Sequence, residues 1–284
     1  MSKRVISQTS MLAALVTASF WGTLQLPTTA ATSYALQRGA VEQASDSTLS
    51  DGVLVAGLSF RLPVRASRWR FGGFARGCAA ATEAVDFNDL QQSLAPIAPP
   101  VQPNESIDPE DVPVDYTVSA HPTIFVRVPD LPGATVGFTL QNEESTEELY
   151  ATQFELDGTE GGIVGIQIPT SSPSLEVGQK YTWQVLVSSS CGGNSGEFRL
   201  TTNSWIERVE LQGALMSVSQ VPMRDRPALY AEAGVWQETL SSLVELRMQN
   251  PSDAEISESW SSLMESVNLG EYSSEPILRI YSEQ

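Results

Sequence analysis

Residues 229–251 read LYAEAGVWQETLSSLVELRMQNP, and the parsing of this stretch decides where helices take over from strands. Gly234 is the residue type that helices favour just past their last turn, and Asn250-Pro251 stops whatever helix precedes it. Between them, from Val235 to Gln249, the side chains of Trp236, Leu240, Leu243 and Val244 recur at helical spacing and fall on one face. The stretch is therefore a helical hairpin with an apolar inner face, a form that binds or scaffolds more often than it catalyses.

Upstream, a helix is expected over Asp225 to Ala233, because Pro227 falls in its first turn, where a missing N–H is harmless. Further upstream, Ser204-Trp205-Ile206-Glu207 has the form of a capping box and predicts a helix over Trp205 to Val218, docked through Trp205, Ile206 and Val209. Downstream, Ser252 to Glu255 is a second capping box. It starts a helix whose stripe is Ile256, Trp260, Leu263, Met264 and Val267, closed by Gly270. A helical subdomain over 204–270 follows, with Trp205, Tyr230, Gly234, Trp236, Leu240, Leu243 and Trp260 as its core and corner residues. The tail, 271–284, is a loop with a short strand at Ile277 to Tyr281.

Before residue 204 the pattern is that of strands. Thr123 to Val128 (TIFVRV) is taken as alternating with period two. Ala134 to Leu140, Leu149 to Leu156, Ile163 to Ile168, Lys180 to Val187 and Glu197 to Thr201 follow, each after a Gly-, Pro- or Asp-containing turn. Short strands at this spacing predict a sandwich over 116–203 whose sequence neighbours pair as hairpins. Leu175 to Val185 (LEVGQKYTWQV) resembles the strand starts of fibronectin-type and immunoglobulin-like sandwiches, with Tyr181 and Trp183 as core or corner residues. The fold class expected is α+β, mainly β then α: an antiparallel immunoglobulin/fibronectin-like β-sandwich followed by a small C-terminal helical hairpin or bundle.

The start of the chain sets the compartment. Lys3 and Arg4 precede an apolar run from Met11 to Gly22 and then small residues, with Thr28-Thr29-Ala30 or Ser33-Tyr34-Ala35 as cleavage sites. This is the layout of a secretory signal peptide, assigned to 1–35. The run is too short for an ordinary spanning helix, so the mature chain is expected to be exported, without stable membrane insertion. Residues 36–115 are expected to be a flexible N-terminal region, with one short strand within Gly52 to Leu62. That region holds a basic, aromatic segment, in which Arg65, Arg68, Trp69, Arg70, Phe71 and Phe74 form a candidate surface-binding patch; the alternative is an arm paired with the protein's own acids. Ala95 to Pro113 is read as a proline-stiffened linker. Its acids, Glu105 to Asp115, are better explained as a solvated run than as a calcium loop, since the EF-hand pattern is absent.

The formal net charge is −18. A field of that sign repels nucleic acid and anionic lipid over most of the surface, so nucleic acid is not an expected partner. In an oxidising compartment Cys78 and Cys191 are expected to form a disulfide, two separate thiols being the alternative. Closing so long a loop is worth about 4–5 kcal/mol in the chain-entropy description.

No catalytic set emerges. His121 is the single histidine and is expected at a turn; no Gly-x-Ser-x-Gly elbow, Walker loop, dinucleotide fingerprint or His-Glu-x-x-His is present. No metal and no cofactor are expected. Paired carboxylates keep a glycoside-type hydrolase as an alternative.

Two resemblances add to this. Tyr230, Gly234, Trp236, Thr239, Leu243, Leu246 and Pro251 carry spacing that resembles the second part of a tetratricopeptide repeat. Only one unit is present, with Arg226-Pro227 where the repeat has Leu-Gly, whereas stacked arrays need about three units. A broader set of motifs comprises the arginine segment ending in Cys78, His121-Pro122-Thr123-Ile124-Phe125, LEVGQKYTWQV with Cys191 after it, WIERVEL (205–211), and ALYAEAGVWQETLSSLVELRMQNPSD (228–253). From about Leu58 to Leu269 these resemble the exported cyanobacterial family known as domain of unknown function 928. The resemblance implies export to the periplasm or cell envelope of a Gram-negative, cyanobacterial-like cell and this order of elements, and it implies no catalytic residue. The function expected is a non-enzymatic interaction or scaffolding role with a protein partner, the alternatives being a carbohydrate- or surface-binding module and the hydrolase above.

Overall fold

The computed structural model describes residues 57–60, 93–99, 114–131, 133–156, 161–190 and 197–282. The chain is mixed α+β, mostly strands with a few helices, and the strands form two sheets. In chain order the strands are β1 (Ala95–Pro96), β2 (Asp115–Thr117), β3 (Thr123–Val128), β4 (Thr135–Asn142), β5 (Glu148–Glu155), β6 (Gly162–Gln167), β7 (Lys180–Ser190), β8 (Glu197–Arg208) and β9 (Ile277–Tyr281). One sheet runs β1-β3-β6-β9 and the other β2-β8-β7-β4-β5.

The strands of the five-stranded sheet alternate. Val136, Phe138 and Leu140 of β4, Trp183, Val185 and Val187 of β7, and Leu200 and Ile206 of β8 point inward. They share one cluster with Ile124, Val126, Val128, Val164 and Ile166 of β3 and β6, so the two sheets face each other across it. At one open side of this core Phe154 of β5 stacks on Tyr281 of β9, ring centroids 3.6 Å apart.

The four-stranded sheet is different, and here the period-two reading of TIFVRV is corrected. Ile124, Phe125 and Val126 are all buried, as are Ile163 and Val164 on β6. A strand covered on both faces has no reason to alternate. The second cover is helical: α1 (Arg226–Glu232), α2 (Trp236–Gln249) and α3 (Ala254–Ser266). Trp236, Leu240, Leu243, Ile256, Trp260 and Leu263 pack with Phe125 and Ile163 in a second core. Gly165 makes room for its cross-strand neighbours, because a Cβ there would lie 3.0 Å from both Phe125 and Ile280.

Several expectations fail for identifiable reasons. The helix over Trp205 to Val218 does not form. Instead β8 runs through Trp205 to Arg208, and the first helical turn after it is a 3-10 segment, Gly213–Gln220. A capping box is a four-residue preference, whereas β8 pairs antiparallel with β7 along eleven consecutive positions, from Glu197 opposite Ser190 to Glu207 opposite Lys180. The sheets are not wholly antiparallel either: β2 joins β8, and β9 joins β6, in parallel. The start of the expected linker is ordered, with Ala95–Pro96 paired to β3 and Ile97 buried. Within the region expected to be flexible, Leu58 and Phe60 sit in the helical core, and Gly57–Phe60 is not a strand. Asp253, not Ser252, caps α3, accepting from the Glu255 and Ile256 amides. Past α3 it is Asn268, φ 60°, that takes the left-handed conformation, where Gly270 was expected to close the helix.

Candidate functional site

Among the described residues helices pack over one sheet, while the outer face of the other is half-buried or exposed. Its residues are those opposite the inward set: Thr139 on β4, Ala151 and Gln153 on β5, Thr182, Gln184 and Leu186 on β7, and Thr201, Asn203 and Trp205 on β8. Cross-strand register sets them side by side, with Thr139 opposite both Ala151 and Gln184, Leu186 opposite Thr201, Gln184 opposite Asn203 and Thr182 opposite Trp205. All are half-buried or exposed. The centre carries amides, hydroxyls, one indole and one leucine, and no ionised group. Charge lies at the margins, where Arg199 pairs with Glu197 at 2.6 Å and, past Thr182 and Trp205, Lys180 lies opposite Glu207.

A groove of about 460 Å³ crosses this face, lined by Gly137, Thr139, Ala151, Gln153, Gln184 and Leu186 among others. Gly137 opens it. Its φ is not positive, and a Cβ there would meet only the Leu186 carbonyl oxygen, at 3.9 Å. A glycine inside a strand weakens it, and where neither bulge nor packing requires one it marks a place for close approach.

A second concavity, about 440 Å³, lies at the end of the same sheet, between the β4–β5 turn and residues 173–181. Asn142 fixes the turn, its Oδ1 accepting from the amides of Thr146 (2.9 Å) and Glu147 (3.2 Å). Glu143, Glu144, Glu147 and Glu176 line the cleft with Lys180. All four carboxylates are exposed. A catalytic acid needs a walled, partly dry site that raises its pKa, and an open mouth of loop side chains does not supply one. Among the described residues no group of three or more His, Cys, Asp and Glu is placed to hold a metal ion.

His121 sits beside this cleft. Its Nε2 lies 3.1 Å from the Ser172 carbonyl and 3.5 Å from Ser174 Oγ. A ring nitrogen facing a carbonyl at that distance carries the proton, so it cannot at once take one from Ser174. The arrangement orients a turn and does not activate a nucleophile.

A carboxylate with a raised pKa lies between strands and helices. Glu238, in the first turn of α2, accepts from Thr117 Oγ1 (2.6 Å), the Ser119 amide (3.1 Å) and the Val118 amide (3.2 Å). Removal from water pushes its carboxyl above the usual range even against those three donors. It joins α2 to the end of β2 and lines neither of the two concavities above.

Of the residues singled out from sequence, Trp236, Leu240, Leu243 and Trp260 are fully buried, so the hairpin's inner face is core and not groove. Gly234 has φ 72° just past α1, and Tyr230 is half-buried against Val118, Leu215 and Val235. Trp205 is corrected from helical core to the free sheet face. Cys78, Cys191, Arg65, Arg68, Trp69, Arg70, Phe71 and Phe74 lie outside the described residues. Sequence reasoning missed the face itself. Its signal was present in the uncharged polar positions of TVGFTLQN, KYTWQVLV and TTNSW, every second residue, in a chain this acidic.

No helix among the described residues is long and apolar enough to cross a membrane, which says nothing of strands. Nothing among curated proteins matches the sequence. Among solved structures, the chain is similar to a family 76 glycoside hydrolase from a bovine Bacteroides thetaiotaomicron strain at 16% identity and a TM-score of 0.23, covering 57% of this chain and 38% of that one. It is also similar to the Parabacteroides merdae beta-glucuronidase at 12% identity and a TM-score of 0.21, covering 57% and 26%. The chain thus spans well under half the length of either, and scores this low carry no argument about fold or chemistry. The model of the Domain of Unknown Function (DUF928) matches residues 72–277, most of the sequence, and the chain belongs to that family.

Proposed function

We propose that this protein is an exported, non-enzymatic binding protein of the periplasm or cell envelope of a cyanobacterial-like cell, and that the free face of its five-stranded sheet meets the ligand. The observation that carries the reading is the groove at Gly137, a concavity built on paired strands and floored by a glycine its own strand does not need. Sites on paired strands are held more rigidly than sites on loops. The sandwich is taken as immunoglobulin- or fibronectin-like, supported by two facing sheets with a common core. The tetratricopeptide-like spacing is taken as local packing, supported by the burial of Trp236 and Leu243.

Export is tested by expressing the full chain in a Gram-negative host and sequencing the N-terminus of the protein in the periplasmic fraction. A new terminus after Ala30 or Ala35 is expected, and an intact terminus in the cytosol would refute export. The binding face is tested by capture from envelope extract with the full chain and with a variant carrying Thr139→Lys, Gln184→Lys and Asn203→Lys. Loss of the captured material in the folded variant is expected; identical capture would move the site elsewhere.

A further inference from the structure

Resting on the free sheet as the binding face, we infer that the groove over Gly137 and the strip from it to Trp205 take an extended, uncharged polysaccharide. Three observations converge on that ligand class. The first is the chemistry of the strip. Gln153, Gln184 and Asn203 each present an N–H donor and a carbonyl acceptor, and Thr139 and Thr201 each a hydroxyl. Such groups match sugar hydroxyls, which both donate and accept, and leave nothing unpaired on either side. Leu186 and the half-exposed indole of Trp205 give apolar ground for the C–H faces of the rings.

The second observation is charge. The chain carries −18, yet the strip itself is neutral; of the charges that flank it, Arg199 sits with Glu197, Lys180 lies opposite Glu207, and Glu155 follows Gln153. A polyanion would meet a repulsive field whose two nearby basic side chains, Arg199 and Lys180, each already face a glutamate, and a cationic segment would prefer the glutamates elsewhere. A second copy of the chain would bring the same negative field. A neutral polymer is the partner that this distribution does not oppose.

The third is span. Gly137 lies opposite Leu186 and Trp205 opposite Thr182, four residues apart along β7 and two strand spacings across. Strand geometry places the two ends of the strip roughly 16 Å apart. A monosaccharide cannot touch both, whereas a polymer lying obliquely over the strands does. The groove volume falls in the range of sites for small ligands, about 300–1,000 Å³, which suits one or two units seated there and the rest running along the strip.

The test is native affinity electrophoresis of the full chain in gels containing hydroxyethyl cellulose, glucomannan, dextran or galactan, with alginate as the anionic comparator. At least one neutral polymer should retard the protein and alginate should not. Gly137→Tyr fills the groove from an outward-facing position, and Gln184→Ala removes an amide; each should weaken the apparent affinity about tenfold or more, with a melting temperature no lower than the parent's as the folding control. Trp205→Ala should do the same if it still melts like the parent. No retardation by any neutral polymer, equal retardation by alginate, or retardation untouched by Gly137→Tyr and Gln184→Ala would each overturn the inference. If polysaccharide binding fails while capture from envelope extract still depends on the face, the ligand class is wrong and the binding face stands. If both fail, both fall. A dimer in sedimentation that Gly137→Tyr dissolves would assign the face to a second copy and would equally overturn it.

Discussion

The two sheets share one core, yet they differ in what covers their other side. The four-stranded sheet has helices beyond it, and its central strands are buried on both faces, at Phe125 and Ile163 as well as at Ile124 and Val164. The five-stranded sheet turns Gln184, Asn203 and Thr139 outward on strands whose other side is Trp183, Ser204 and Phe138. The difference teaches where chemistry has room. Side chains between the sheet and the helices are committed to packing, while those on the bare face are free to serve a ligand.

Substitutions on the two outer faces should therefore differ most at large side chains. Trp236→Ala removes a fully buried indole and its 2.9 Å hydrogen bond to the Ile97 carbonyl. It should cost about 3–5 kcal/mol in urea unfolding, against less than about 0.5 kcal/mol for Gln184→Ala. Comparable losses would mean that the five-stranded sheet is covered after all.

The sharpest form of the comparison uses two strand glycines and one substitution. Gly165→Ala places a methyl 3.0 Å from Phe125 and Ile280 and should destabilise by about 1–3 kcal/mol, as overpacked cores do. Gly137→Ala meets one atom at 3.9 Å and should stabilise by about 0.5–1 kcal/mol, since alanine loses less backbone freedom in a strand. Equal effects in thermal melts would remove the argument that Gly137 exists to open a groove.

Between the sheets, Ser204 Oγ is buried and has no hydrogen-bond partner. Ser204→Ala should then raise stability by about 1 kcal/mol; a loss of that size would show that the hydroxyl is satisfied in solution.

The smallest signal concerns the joint between sheet and helices. Burial raises the Glu238 carboxyl in the folded protein. A raised acid contributes stability that is fully present below the unfolded pKa, about 4.3, and lost as pH rises through the folded value. The stability of the parent relative to Glu238→Gln should accordingly be greater at pH 4 than at pH 8 in paired urea titrations. A difference that is flat or reversed would mean that the three donors outweigh the loss of water.

How much of this was readable in advance depended on the range of the signal. Gly234 and the stripe from Ile256 to Val267 were legible because a helix writes its period and its stop within a few turns. The strand at Ile277–Tyr281 was legible as an apolar run, but nothing local announced its parallel pairing with β6. The Ser204–Glu207 box was misread because Thr202 and Ser204, two of the inward residues of β8, are polar and disguise its alternation. Glu238 was invisible for a related reason: its three donors come from residues 117–119, far away in sequence. The free face was illegible as a site because identifying it required knowing which sheet the helices cover.

The parallel pairing of β9 with β6 also sets a timetable. During synthesis the N-terminal part emerges first, and β6 keeps a bare edge until β9 appears on the order of a hundred residues later. Pairings so distant in sequence close slowly. Until the last strand arrives, Gly162, Ile163 and Val164 present an apolar, unpaired edge of the kind that other chains recruit into aggregates. The nascent protein thus needs its companions kept away until residues 277–281 have docked, and a chain cut short by those few residues would carry that hazard permanently.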